Sequence, residues 1–230
     1  MRTKIGNFLI VLGLVLVLAG IGLGGFNLWT ENQAGADSAS ALDVLTHQLE
    51  TPVHTPDLPQ NPTVPADREE NRGQMPPEYG DAPSLEQLLG IPDRTRDPYR
   101  EMPTVEIDGV AYIGYLEIPA LGLKLPIISE TTDRNLQKAP CRFFGSAYLE
   151  NMVIGAHNYN SHFGRLSYLS YGDILIFTDM EGRVFTYEVA DIETLKAYQG
   201  EYLCNGEWDL SLFTCTLGGE QRITVRCEKI

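Results

Sequence analysis

Residues Leu210–Arg222, LSLFTCTLGGEQR, set one cysteine and one arginine on the two arms of what reads as a tight β-hairpin. The arm before the turn alternates, with Leu210, Leu212 and Thr214 on one face and Ser211, Phe213 and Cys215 on the other. Gly218-Gly219 is the turn signal. Beyond it Ile223, Val225 and Cys227 form an apolar face, while Arg222, Thr224, Arg226 and Glu228 point the opposite way. If the apolar faces cover one core, Cys215 and Arg222 project together from the other side of the sheet, near the base of the hairpin. A guanidinium beside a thiol lowers the thiol pKa and can stabilise an oxyanion. The competing reading is a buried strand cysteine and a surface arginine, and the hairpin alone does not separate the two.

The second informative stretch is Met152–Asp173, MVIGAHNYNSHFGRLSYLSYGD. A short apolar run ends at His157, and Phe163, Leu166 and Leu169 then recur at helical spacing before Gly172-Asp173 leads into the strand-like Ile174–Thr178. His157 therefore sits at a strand end, where side chains face a cleft. Cysteine catalysis in a β fold needs a histidine brought close by folding, to share or donate a proton.

These two segments together resemble the sortases, the cysteine transpeptidases of Gram-positive cell surfaces, and the resemblance extends from about Tyr112 to the C-terminus. Tyr112–Ile128, YIGYLEIPALGLKLPII, looks like the family's opening pair of strands with its Leu-Glu-Ile-Pro signature. Leu136–Ser146 followed by Asn151–His157 looks like the approach to the catalytic histidine, and Ser211–Cys215, SLFTC, resembles the TLxTC nucleophile motif. The resemblance implies that Cys215 is the nucleophile, His157 the general acid, Arg222 the oxyanion and substrate-positioning group, and Thr214 a contributor to substrate binding. It also implies the substrate class: a surface protein with a C-terminal LPxTG-like sorting signal, cut after threonine and joined to a peptidoglycan-precursor or pilin amine. Ser211 stands where the family usually has threonine, and Ala156 where glycine is commoner; both departures keep the chemistry intact.

Other residues compete for these roles. Arg226 lies four positions beyond Arg222 on the same strand face, and the motif spacing favours Arg222. His162 lies in the polar NYNSHFG loop and reads as a solvated or substrate-rim residue, while His47 and His54 read as solvated. Cys227 falls on the core-facing parity of its strand. Cys141 and Cys204 sit near turns, and spacing leaves open whether they pair.

Charges are absent between Lys4 and Glu31, and the apolar run Phe8–Phe26 is long enough to cross a bilayer. With Arg2 and Lys4 before it and acids after it, the run reads as an uncleaved signal anchor with a cytoplasmic N-terminus and an extracellular remainder. A signal peptide cleaved among the alanines of Ala34–Ala41 is the alternative. The span Glu31–Glu106 carries 11 of the 14 prolines, no cysteine and an excess of acids, and reads as an extended, mostly disordered spacer. A brief amphipathic helix over Ser84–Leu89 fits inside it. Within the same spacer, Asp97-Pro98-Tyr99 resembles the Asp-Pro-aromatic lid anchor of pilin-type sortases, or else is an ordinary proline-rich turn.

Many short alternating segments from about Glu106 onward, with little helix, imply an all-β domain. The family resemblance selects a closed eight-stranded β-barrel with short helices. The expected organisation is 1–30 cytoplasmic tip and transmembrane anchor, 31–105 acidic linker, and 106–230 catalytic barrel. A formal net charge of -14 argues against a nucleic-acid partner. No phosphate-cradling loop or metal-ligand spacing is present, and no cofactor is expected. Two other function classes remain on the sequence alone: a membrane-tethered cysteine peptidase that hands its acyl group to water, and a β-barrel binding module with an inert cysteine.

Overall fold

Between Val105 and Lys229 the alternating segments form β1 (Val105–Ile107), β2 (Val110–Ile118), β3 (Leu123–Ile128), β4 (Cys141–Phe144), β5 (Met152–Ala156), β6 (Ile174–Asp179), β7 (Val184–Lys196), β8 (Leu210–Cys215) and β9 (Gln221–Lys229). The computed structural model describes residues 2–50, 99–205, 207–216 and 218–230, with side chains of the first helix from residue 11 onward. The strand order is β1-β2-β3-β4-β5-β8-β9-β7-β6, and a further β2–β6 pairing closes the sheet. Strands β2 to β9 thus make the expected closed eight-stranded barrel, with β1 added outside the ring by its pairing to β2.

Closure depends on Gly114. Its φ of 149° and its contact with β6 leave no room for a side chain, since a Cβ there would lie 2.1 Å from the Thr178 carbonyl oxygen. The barrel is filled by inward residues such as Ile113, Leu116, Ile127, Ile154, Phe177, Leu212 and Val225, all fully buried. Phe163, Leu166 and Leu169 cap this core from the segment after His157, where a single 3₁₀ turn, Leu166–Tyr168, stands in for the expected helical turn. Two one-turn helices, α2 (Asp133–Leu136) and α3 (Gly200–Leu203), occupy connections.

One helix precedes all of this. α1 runs unbroken over Arg2–Glu50, 49 residues and so about 74 Å long. Its large apolar side chains from Val11 to Trp29 are exposed, and it is long and apolar enough to cross a membrane. The extended spacer expected from Glu31 is corrected over Glu31–Glu50, which is helical. All eleven spacer prolines lie beyond that point, beginning at Pro52, whereas Glu31–Glu50 has none. Within it Ala34, Ser38, Ala41 and Leu45 recur at helical spacing and are buried. Ala41 and Leu45 pack against Val110, Tyr112, Ile128, Ala139 and Cys141 on the barrel wall. The rest of the spacer, including the Ser84–Leu89 stretch, lies outside the described residues.

The helix is also held by polar contacts. The Ser38 hydroxyl donates to the Lys138 carbonyl at 2.7 Å and lies 3.1 Å from His162 Nε2. With its proton so placed, Ser38 accepts from Nε2–H. His162 is therefore fully buried beneath α1, not solvated as its polar loop suggested. Burial pushes its pKa down to about 4 from 6.5, with His157 acting the same way and Glu31 and nearby carbonyls opposing. A lowered pKa means that the unfolded chain binds the proton first. Stability is then complete above pH 6.5 and falls as the pH drops towards 4, by about 3 kcal/mol from this group. The stability advantage of the wild-type chain over His162→Gln should accordingly shrink across that window in thermal unfolding measured in detergent. An advantage independent of pH would show that His162 is not held neutral.

Candidate active site

Three adjacent strand ends bring the chemistry-bearing residues together. β5 and β8 run parallel with Ala156 opposite Thr214, so His157 follows directly beside the strand end that carries Cys215. β8 and β9 run antiparallel with Cys215 opposite Arg222. The alternation of LSLFTC is visible in its packing: Leu210 and Leu212 join the barrel core, whereas Phe213 packs outside it with Val153, Leu195 and Leu203, and Cys215 is exposed. Ser211 and Phe213 are nevertheless covered, because the segment before β8 and the β4 residue Phe143 lie over them.

Thr214 is buried, and its hydroxyl donates to the Ala156 carbonyl at 2.9 Å. This bond clamps the ends of β5 and β8. Thr214 also lines the cavity that contains Cys215.

Cys215 is exposed, and all four cysteines are free. No disulfide joins Cys141 to Cys204. Burial pushes the Cys141 thiol up to about 12 and raises Cys227 as well; Cys204 is also raised by burial, with Arg226 opposing. Those three are therefore poor thiolates.

His157 is half-buried, its ring centroid 5.1 Å from that of Tyr159. Desolvation lowers its pKa, with the Asp133 carboxylate pulling the other way. The imidazole is thus held mainly neutral near pH 7.

Arg222 and Arg226 occupy different environments although they share a strand face. Arg226 is 1% exposed. It donates to Glu193 Oε1 at 2.8 Å, to Ser211 Oγ at 2.9 Å and to the carbonyls of Leu203 and Tyr202 at 3.0 and 3.3 Å. Those bonds tie the α3 segment to the barrel and leave it no role at the thiol. The guanidinium of Arg222 donates to the Ala197 carbonyl and lies 5.7 Å from the Phe213 ring centroid. Its Nε is buried and has no hydrogen-bond partner among the described residues. A buried donor left without an acceptor is costly.

The surroundings of Cys215 divide into two sides. On the outer face, the Phe213 ring fills space that Gly155 leaves open, and Phe143 packs edge-on against it at 5.2 Å between centroids. Phe143 also borders an open groove of about 560 Å³ with Phe144, Arg142 and Glu130. At the barrel end, Cys215 lines a cavity of about 580 Å³ together with Ile223, Tyr159 and Asn160, and with Asn27 and Glu31 from α1. A neighbouring cavity of about 600 Å³ contains His157 with Trp29, Arg134 and Lys138. Asn27 and Tyr159 line both. Sequence reasoning missed Asn27 and Glu31, and the available signal was the small-residue stripe Ala34, Ser38, Ala41 that docks their helix.

Of the Asp97-Pro98-Tyr99 segment, the first two residues lie outside the described residues. Tyr99 is 83% exposed and is not among the residues lining the Cys215 cavity.

The chain belongs to the sortase family: the family's sortase domain matches residues 116–230, half of the sequence and most of the barrel. Sortases are cysteine transpeptidases, so family and fold agree on the class of chemistry. Similar solved structures include sortase C of Streptococcus pneumoniae, 28% identical over 58% of this chain and 77% of that one, with a TM-score of 0.47. Another is sortase C1 of Streptococcus suis, 28% identical over 52% and 73%, with a TM-score of 0.45. A third is sortase C of Clostridium perfringens SM101, 26% identical over 52% and 70%, with a TM-score of 0.44. No curated protein sequence matches it.

Proposed function

We propose that this sortase is a membrane-anchored transpeptidase that cuts an LPxTG-like sorting signal after threonine and joins the protein to a cell-wall or pilin amine, with Cys215, His157 and Arg222 as the reacting groups. The observation that carries the reading is the register pair Cys215–Arg222 beside the strand end that leads to His157, with an exposed thiol and an unpaired Arg222 donor.

Chemically, the neutral imidazole of His157 takes the thiol proton as Cys215 Sγ bonds to the threonine carbonyl carbon. The oxyanion accepts hydrogen bonds from Arg222. Collapse breaks the carbon–nitrogen bond, and the imidazolium returns its proton to the departing amine, leaving a thioacyl enzyme. An incoming amine attacks that thioester; the carbon–sulfur bond breaks, the surplus amine proton passes through His157, and the thiol is regenerated. The lowered His157 pKa keeps the resting imidazole mainly neutral and so able to accept a proton.

The aromatic floor of Phe143 and Phe213 beside Arg222 suits the apolar residues of a donor peptide on the outer face. The exposed apolar stretch of α1 supports a membrane anchor, and Arg2 and Lys4 ahead of it support a cytoplasmic N-terminus. A peptide-library cleavage profile of the full chain in detergent is expected to show leucine and proline ahead of a threonine at the cut. A profile without threonine at that position would reject the proposed sorting signal.

A further inference from the structure

The first helix does more than end near the barrel. Its Glu31 Oε1 accepts a hydrogen bond from the Asn160 backbone N–H at 2.7 Å, and Gly35 lets it approach Ser161, where a Cβ would stand 3.2 Å from the serine Cβ. Ser38, buried one turn further on, bonds His162 of the same loop. These contacts seat α1 on the loop that follows His157, and they place Asn27 and Glu31, one turn apart, in the wall of the cavity that holds Cys215.

The chemistry of that wall is one-sided. Glu31 is the single carboxylate among the described residues lining the cavity, and no lysine or arginine is among them. The aromatic floor and Arg222 lie on the outer face, so the end cavity is left open to the thioester carbon from another direction. A primary amine near neutral pH is almost entirely an ammonium ion. A cavity with one carboxylate and no opposing cation favours such an ion, and the chain's net charge of -14 draws cations towards it.

We propose that the cavity between α1 and the ends of β8 and β9 is the site where the resolving amine binds as its ammonium form, with Glu31 of the anchor helix as its charge-recognition group. The inference rests on the thioacyl-enzyme reading above. It makes the first helix part of the acceptor site, although that helix lies outside the matched sortase domain. The ammonium binds beside Glu31 and gives one proton to solvent water; the free amine then attacks the thioester on Cys215, and the second proton passes through His157 to the departing thiolate.

Two acceptors separate charge from access: Nα-acetyl-lysine amide, an ammonium at neutral pH, and hydroxylamine, which is uncharged there. The test is the ratio of their KM values with the full chain in detergent micelles. Glu31→Gln keeps an oxygen to accept the Asn160 N–H while removing the charge, and should raise the ratio of lysine amide to hydroxylamine about fivefold. Asn27→Asp adds a carboxylate to the same wall and should lower the ratio about threefold. Unmoved ratios in both variants, or equal changes for both acceptors, would overturn the proposal. Absence of any acyl adduct on Cys215 in the wild-type chain would overturn the thioacyl reading and this proposal together. A wild-type adduct with unmoved ratios would overturn this proposal alone.

Discussion

Replacing Cys215 with alanine is expected to lower turnover of an LPxTG-like peptide by about 10⁴-fold or more, because no other group in the cavity can form the thioester. The fold should survive. Cys215 is exposed and outside the packed core, so unfolding free energy should change by less than about 0.5 kcal/mol. Steady-state cleavage and thermal unfolding of the same preparation check both halves. Comparable activity in the alanine variant would remove the nucleophile assigned here.

Arg222→Lys is expected to cost about 10²- to 10³-fold in kcat, although the charge is kept. In its proposed role the planar fork bonds the Ala197 carbonyl while its unpartnered Nε serves an oxyanion, whereas a lysine presents only a point charge. Arg226→Lys supplies the contrast. It breaks a buried network of Glu193, Ser211 and the Leu203 and Tyr202 carbonyls, so its main effect should be a stability loss of about 2–3 kcal/mol. Kinetics and denaturant unfolding of the pair separate the two arginines. If Arg226→Lys reduced kcat more than Arg222→Lys at equal stability, the assignment would be reversed.

The hairpin was legible because a two-residue period states which side chains share a face, and Gly218-Gly219 states where the chain turns. Cys215 opposite Arg222 follows from those two facts. Other features lay outside what local pattern can reveal. β7 extends through Asp191–Lys196, where burial is irregular and a bulge interrupts its pairing with β9 between Val189 and Asp191. β4 is four residues long and exposes both of its phenylalanines, so it carries no alternation.

His162 and Arg226 share another cause. Each is polar and sits in a stretch that reads as surface, and each is buried by a segment distant in sequence. For His162 that segment is α1, whose Ser38 lies 124 residues away in sequence. For Arg226 it is the α3 region, with the Leu203 carbonyl 23 residues away. The docking of α1 does not show in the overall composition of Glu31–Glu106, where the prolines from Pro52 onward outweigh a proline-free helix before them.

The intact mass of the full chain, taken during turnover of an LPxTG-like peptide, tests directly whether Cys215 carries the acyl group. The predicted result is an adduct equal to the peptide up to its threonine, mapped to Cys215 and discharged when an amine is added. No adduct during turnover, or an adduct on Cys141, Cys204 or Cys227, would contradict it.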